Sequence, residues 1–442
     1  MSLKKTIKIS WIILLFCNFQ GVAQNALSLE DLVQKSLLEN YNLQIVRNNQ
    51  EIAENENTYG NAGFLPSVDL SSSQSWSIEN SELSFFNGEG RTGENARSTS
   101  LNAMVETNWT VFDGFRMFAR KDQLGYLAQL GKLDTQYYIE QTIADLADLY
   151  FQMITEQELL NTLRQSISIS SYRVNLEKEK RRLGAGNTLM YLQAVNDLNA
   201  DSVLLIRQKA LIDDIRIRIN RIINEEPDEE FLPSENIEPE NITIDNRETL
   251  LRKAMENNFE LEQSRLQELI AETNVRIEKA MRYPQINLFG NYALRRQTSE
   301  TGFVEESQNY GFQYGVSIRF NLFNGNQQNI SIQNREKEKQ NQQIRIDDTG
   351  AMLKSEISRI ISQYESKALE LQLLEKNMQN AERSLEIARE QLSQGSINGF
   401  EFRQNQLAVF QIQNQIIRLK YTLKIIETDV KRLTGELTGW VL

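Results

Sequence analysis

Four short patterns recur in this 442-residue chain, in one order and at nearly constant spacing. Leu37-Leu38-Glu39-Asn40-Tyr41-Asn42-Leu43 returns as Met255-Glu256-Asn257-Asn258-Phe259-Glu260-Leu261, setting Asn40 against Asn258 at an offset of 218. Leu65-Pro66-Ser67-Val68-Asp69-Leu70 returns as Tyr283-Pro284-Gln285-Ile286-Asn287-Leu288, again offset by 218. Trp109-Thr110-Val111-Phe112-Asp113-Gly114 returns as Phe320-Asn321-Leu322-Phe323-Asn324-Gly325 at 211, and Gly186-Asn187 with Asn196 and Leu198 returns as Gly395-Ser396 with Asn405 and Leu407 at 209. Self-similarity at a fixed period marks one structural unit used repeatedly. Here the unit is about 210 residues and is used twice, over 24–223 and 247–442.

The stretch between the copies, 224–246, holds three of the five prolines and an acidic run. It reads as an irregular, solvated connector. The other two prolines, Pro66 and Pro284, occupy matching positions, each at the start of a strand, where a missing N–H is tolerated.

Within each unit the hydrophobic period changes twice. Ser28-Leu29-Glu30-Asp31 has the form of a capping box and opens a helix expected to reach about Ala62, with a counterpart from about Arg247 to Arg282. Period two follows. Phe312, Tyr314, Val316, Ile318 and Phe320 share one face, with Gly311, Gln313, Gly315, Ser317, Arg319 and Asn321 on the other. The same alternation predicts strands over 64–76, 100–112, 284–294 and 310–322, forming two hairpins with polar turns at about 77–99 and 295–309. Their lengths suit the roughly 9–11 residues of a tilted bilayer-spanning strand. From alternation alone, a half-buried sheet in a soluble domain is the simpler reading.

After each hairpin comes a helical stretch, 115–183 and 327–391, each on the order of 100 Å long at about 1.5 Å per residue. Each breaks at glycine and returns, over 189–223 and 399–433. Leu371, Leu374, Met378, Ala381, Leu385, Ala388 and Leu392 step alternately by three and four, as do Ile412, Ile416, Leu419, Leu423, Ile426, Val430 and Leu433. A repeat of 3.5 predicts left-handed coiled-coil packing. The seam is narrow and its surroundings are polar, which suits a curved wall of helices wetted on both sides better than a bundle.

Lys4, Lys5 and Lys8 precede the apolar run 11–16, and Gly21-Val22-Ala23 follows. This is the layout of a secretory signal over 1–23, and the run is too short to span a bilayer as a helix. Cys17 follows the bulky Phe16, where lipidation would want a small residue. Removal of 1–23 takes away three lysines and no acid, leaving a formal charge of 45 − 60 = −15. Such an acidic exported chain is a poor partner for nucleic acid. With no histidine and the single cysteine Cys17, His-based triads, His or Cys metal sites and internal disulfides are excluded, and no cofactor or metal site is expected. No later segment has the roughly 18 uninterrupted apolar residues of a transmembrane helix, so a membrane role would have to use strands.

Four strands cannot close a barrel around an open channel, and open edges are forbidden in lipid. Several chains would have to pool their hairpins; three would supply twelve strands. The same three would pool their long helices into a tube continuing the barrel.

This arrangement resembles the TolC-type outer membrane efflux family. The resemblance is carried by Leu27-Ser28-Leu29-Glu30-Asp31 with Glu39-Asn40, by Leu65-Pro66 and Tyr283-Pro284, by Phe112-Asp113-Gly114 and Phe323-Asn324-Gly325, and by the breaks at Gly186 and Gly395. No one of these motifs is specific; their doubled order is. The resemblance implies a mainly α chain with membrane β, forming a homotrimer in the outer membrane of a Gram-negative bacterium. A twelve-stranded β-barrel would continue into a periplasmic α-helical coiled-coil tunnel, with the connector in an equatorial belt. It implies the outer component of a tripartite efflux or type I secretion system, whose periplasmic adaptor and inner membrane transporter (RND, ABC or MFS type) would supply the energy.

The resemblance also implies site residues. The turns Gly184-Ala185-Gly186-Asn187 and Gln394-Gly395-Ser396-Ile397 would form the periplasmic tip, where an adaptor docks; they are also plain helix breaks. Glu401, six after Gly395, stands where such proteins often carry a pore-narrowing acid, while the first copy has Leu192 there. Tyr191 and Phe400 flank the turns as gate packing or coiled-coil fillers. Pro66, Phe112, Asp113, Gly114, Pro284, Phe323, Asn324 and Gly325 would mark the barrel-to-tunnel junction.

Two other classes compete. An enzyme would need a catalytic motif, but Glu256, Glu260 and Glu262 read as a solvated helix face and no Walker or dinucleotide glycine pattern is present. A periplasmic coiled-coil adaptor or structural protein of an export complex would share the signal and the long hairpins, without needing two amphipathic β-hairpins.

Overall fold

The computed structural model describes residues 25–86, 88–238, 247–301 and 304–441. The expected signal over 1–23 and part of the connector, 239–246, lie outside them.

The element order doubles as the sequence does. A short strand β1 (Asn25–Leu27) precedes α1 (Leu29–Glu39) and α2 (Tyr41–Glu56); then come β2 (Ser67–Ser84) and β3 (Gly90–Phe112), and the hairpin α3 (Arg116–Arg182) and α4 (Thr188–Ile222). After β4 (Phe231–Pro233), the second copy runs α5 (Arg247–Asn257), α6 (Phe259–Ala280), β5 (Gln285–Ser299), β6 (Glu306–Arg319), α7 (Gln327–Gln394) and α8 (Gly399–Leu433), closed by α9 (Leu437–Val441).

The capping box at Ser28 forms: its hydroxyl accepts from the Asp31 N–H, and the Asp31 carboxylate accepts from the Ser28 N–H. The single helix expected from there to Ala62 is instead two. Asn40 ends α1, and its Oδ1 accepts from the Leu43 N–H to start α2. Its Nδ2 donates to the Ile222 carbonyl, 2.9 Å away at the end of α4. Asn258 repeats the device, capping α6 through the Leu261 N–H and donating to the Leu433 carbonyl of α8. The side-chain amide offers the backbone a local alternative to helix, so the break falls on the repeated asparagine.

β2, β3, β5 and β6 form one antiparallel sheet in that order, leaving β2 and β6 as its two edges. The strands run beyond their expected ends: β2 continues to Ser84 and β3 begins at Gly90, so most of the polar turn expected at 77–99 is strand. β6 conversely stops at Arg319, short of the expected 322. Rows across the sheet have a consistent facing. Leu70, Val105, Tyr292 and Phe312 lie side by side, and the next row on the other face is Asp69, Glu106, Asn291 and Gln313. The apolar face is bare: Leu70 is 78% exposed, Phe312 70% and Tyr314 78%.

α3, of 67 residues, runs the whole length of the helical part, about 100 Å. α2 packs along its first half and α4 along its second. α7, of 68 residues, does the same with α6 and α8. Between sheet and tip, the largest core gathers Leu32 and Val33 of α1, Ile143, Leu146 and Tyr150 of α3, Ile215 and Ile219 of α4, and Leu437 of α9. The connector is less solvated than its composition suggests. β4 pairs in parallel with β1, and Phe231 and Ile237 are buried in this core.

Over 371–392 of α7 the predicted seam positions are the least exposed ones. Ala388 and Leu392 are buried, while most of the residues between them are exposed. Phe402 of α8, fully buried, joins them in a small core near the tip.

Candidate functional site

The residues that the sequence singles out fall at the two ends of the helical hairpins. At the first, α3 ends in the bonding pattern that a left-handed residue allows. The Ala185 N–H donates to the Lys180 carbonyl at 3.0 Å and the Gly184 N–H to that of Arg181 at 3.1 Å. Gly184 supplies the positive φ of 78°. Gly186 is required for another reason: a Cβ there would lie 2.5 Å from the Arg181 backbone nitrogen. Asn187 then caps α4, accepting from the Leu189 N–H at 2.8 Å.

The second turn repeats the pattern. The Ser396 N–H donates to the Gln391 carbonyl at 2.8 Å, and Gly395 holds φ 75°. Gln394, Gly395, Ser396, Ala185 and Asn187 are exposed. Asn398 caps α8, accepting from the Phe400 and Glu401 N–H groups, both at 3.0 Å. The Glu401 carboxylate accepts from the Asn398 N–H at 2.9 Å, so one of its oxygens is committed to the cap. Of the two aromatic residues, Tyr191 carries the Arg181 guanidinium 4.4 Å over its ring, whereas Phe400 is 61% exposed.

Above the tip lies a buried polar group that sequence reasoning missed. Arg403 of α8 donates to both oxygens of Asp201 of α4, and to the Ser170 hydroxyl of α3. Gln406 donates to the Ser166 carbonyl at 3.0 Å. One turn nearer the tip, Arg173 of α3 pairs with Asp197 and donates to the Gly399 carbonyl, while the Lys180 ammonium reaches that of Leu392. Burial pushes the Asp201 carboxyl up, but the Arg403 guanidinium and the serine hydroxyls outweigh it and hold it below its ordinary value. These bonds tie the second hairpin to the first. The available signal was Asp201, seven after Ala194 and fourteen before Ile215, both buried on α4, and so on the buried side of that helix.

At the other end, Pro66 and Pro284 each immediately precede a strand. Phe112 closes β3, and its ring meets that of Phe115 edge-on at 5.3 Å. Asp113 accepts from the Met117 N–H at 3.2 Å, opening α3, and Asn324 accepts from the Gln328 N–H at 3.5 Å, opening α7. Gly114 and Gly325 have positive φ, as do Phe115 and Asn326 after them. Phe323 is 84% exposed. The junction motif thus supplies an acceptor for one first-turn N–H of the long helix and a glycine that turns the chain from sheet to helix.

Among the described residues, no group of three or more His, Cys, Asp or Glu is placed to hold a metal ion, and no helix is long and apolar enough to cross a membrane.

The fold has solved counterparts. The chain is similar to the channel CusC (TM-score 0.76, 12% identity, 93% of each chain covered). It is also similar to VceC of Vibrio cholerae (TM-score 0.74, 14% identity, 92% of this chain and 96% of that one). CmeC of Campylobacter jejuni is a third (TM-score 0.75, 14% identity, 92% and 86%). No curated protein matches the sequence. The family described as outer membrane efflux protein matches residues 32–225 and 250–436, one segment for each copy of the repeat. The chain belongs to the outer membrane efflux protein family and shares the fold of these solved structures.

Proposed function

We propose that three copies of this chain form a passive conduit from the periplasm to the outside, and that it serves a tripartite efflux or type I secretion system. One observation carries the reading: a four-stranded sheet with a bare apolar face and two unpaired edges continues directly into helical hairpins about 100 Å long. In lipid every strand edge must be paired. A twelve-stranded closure satisfies that and leaves a lumen. Rows such as Asp69, Glu106, Asn291 and Gln313 would face its water.

The exposed turns at Ala185-Gly186-Asn187 and Gln394-Gly395-Ser396 are the proposed dock for a periplasmic adaptor, which in turn meets an inner membrane transporter. Glu401, exposed Phe400 and pinned Tyr191 are the proposed constriction. Residues 224–238 and β1 lie around the middle of α3 and fit an equatorial belt. Full-length protein extracted in detergent and reconstituted into planar bilayers should have the mass of three chains and conduct ions. Monomeric protein that stays soluble without detergent would overturn the reading.

A further inference from the structure

The internal repeat predicts how one copy joins the next, residue by residue. The two hairpins test the tool first. In the β2–β3 hairpin, Ser67 pairs with Asn108. Shifting these by the sequence offsets, 218 before the hairpin turn and 211 after it, gives Gln285 and Arg319, which is the pair observed in β5–β6. The offsets therefore carry strand register from one copy to the other without a slip.

The joint between the copies inside one chain is β3 on β5. Its equivalent between chains is β6 of one copy on β2 of the next. We infer that this inter-subunit joint has the register obtained by shifting β3–β5 by the same offsets, and this rests on the trimeric reading above. Val105 opposite Tyr292 becomes Val316 opposite Gln74 of the partner subunit. Ala103 opposite Leu294 becomes Tyr314 opposite Trp76 of the partner subunit, and Leu101 opposite Arg296 becomes Phe312 opposite Ile78 of the partner subunit.

Three features of the surfaces so brought together agree. Two of the three shifted pairs set apolar against apolar on the open edges: Trp76 is 71% exposed and Tyr314 78%, Phe312 70% and Ile78 65%. A slip of one residue would turn one strand's apolar set to the lumen. Second, a Cβ on Gly114 would lie 2.2 Å from the Ala280 carbonyl, whereas one on Gly325 meets nothing within 4 Å. By the same shift Gly325 faces Ala62 of the partner subunit, the counterpart of Ala280. Third, Leu38, Ile45, Ile52 and Tyr59 recur every seven residues from the end of α1, along α2 and just past its end, and are 72%, 55%, 55% and 61% exposed. In the chain, Gln263 of α6 donates to Asp134 of α3 at 2.8 Å. The shifted pair is Ile45 of the partner subunit and Arg345, next to Ile344, which is 63% exposed.

Cysteine cross-linking tests the register, since the one native cysteine, Cys17, can be replaced by alanine. Neighbouring antiparallel pairs alternate between Cα separations of about 5.5 and about 4.5 Å, both within disulfide range. Ser73→Cys with Ser317→Cys, and Gln74→Cys with Val316→Cys, should under mild oxidation give covalent trimers that survive boiling and fall to monomers on reduction. Ser75→Cys with Ser317→Cys, one row out of register on the same face, should not. Equal or better cross-linking by the shifted pair, or none by both matched pairs in trimeric material, would overturn the register. Light scattering of the untreated protein keeps the two readings apart, because a monomer there defeats the trimer itself. Should a cysteine variant fail to assemble, Trp76→Ala and Tyr314→Ala replace it. Together they should lower the trimer's dissociation temperature by less than the sum of the single changes. Trp76→Ala with Ile318→Ala should be additive, and additivity in both would also overturn the register.

Discussion

Arg403 and Asp201 meet fork to fork inside the helical wall: one guanidinium nitrogen lies 2.6 Å from Oδ1 and the other 2.9 Å from Oδ2. The residues are 8% and 4% exposed. A pair this dry is costly to break by halves, because the survivor is a buried charge with no counter-ion. Asp201→Ala or Arg403→Ala should each cost about 3–5 kcal/mol, and the double variant should cost less than the sum. The lesion is local, so trypsin is the sensitive probe. Cleavage after Lys180, Arg181 and Arg182 should rise about tenfold or more in either single variant. Unchanged cleavage would mean that the pair does not secure the tip. Asp201 sits below its ordinary value of 3.8, so its contribution holds above that pH and is lost as pH falls through the lower folded value.

The two tip glycines should respond differently to alanine. At Gly186 a methyl group collides with the backbone of Lys180 and Arg181, 2.7 and 2.5 Å away, so the turn must rebuild. At Gly395 nothing lies within 4 Å, and the cost is only the left-handed φ of 75°, about 1 kcal/mol. Gly186→Ala should therefore impair export more than Gly395→Ala. Bulky residues at both should abolish export while the trimer still assembles. Export assays alongside light scattering read both, and equal effects of the two alanines would show that crowding at Gly186 is not what matters.

What the sequence disclosed and what it hid follow from how each feature is encoded. The repeat, the coiled-coil seam and the Asp113-Gly114 and Asn324-Gly325 turns are local, so their residues carry the whole instruction. The strand from 77 to 84 was read as loop because neither face is apolar there. Alternation appears only where one face meets lipid or core, and a ladder continues past that without it. The breaks at Asn40 and Asn258 were passed over because both sides keep the helical period. Their reason lies across the fold, in the carbonyls of Ile222 and Leu433. Arg403 and Asp201 are 202 positions apart, and no spacing rule joins them.

The junction acceptors make a milder prediction. Asp113 and Asn324 each accept from a backbone N–H at the start of a 67- or 68-residue helix. Asp113→Ala and Asn324→Ala should each cost about 1 kcal/mol. Gly114→Ala should cost far more, since its methyl group would lie 2.2 Å from the Ala280 carbonyl at a φ of 72°. Thermal unfolding of detergent-solubilised protein should rank them in that order, and a Gly114→Ala as stable as Asp113→Ala would contradict the packing described.

Glu140 gives the middle of the molecule a pH response. It is 3% exposed on α3, with one carboxylate oxygen buried and unpartnered, and the other group facing it from α9 is the Leu437 N–H. Burial pushes its carboxyl up to about 7, against the pull of Arg432 on α8 and the Leu437 N–H. Glu260 of α6 and Tyr137 of α3 share the surroundings, hydrogen-bonded to each other at 3.2 Å. The folded chain therefore holds a proton between pH 4.5 and 7 that the unfolded chain has released. Stability from this group is complete below 4.5 and is lost as pH rises through 7, at most roughly 3 kcal/mol. Glu140→Gln keeps an acceptor for Leu437 without the charge. Its melting temperature should match wild type at pH 4 and exceed it at pH 8, with the wild-type curve falling between. A wild-type curve flat from pH 5 to 8, or a glutamine variant that is the less stable of the two at pH 8, would show that the carboxyl is charged and accommodated in the fold.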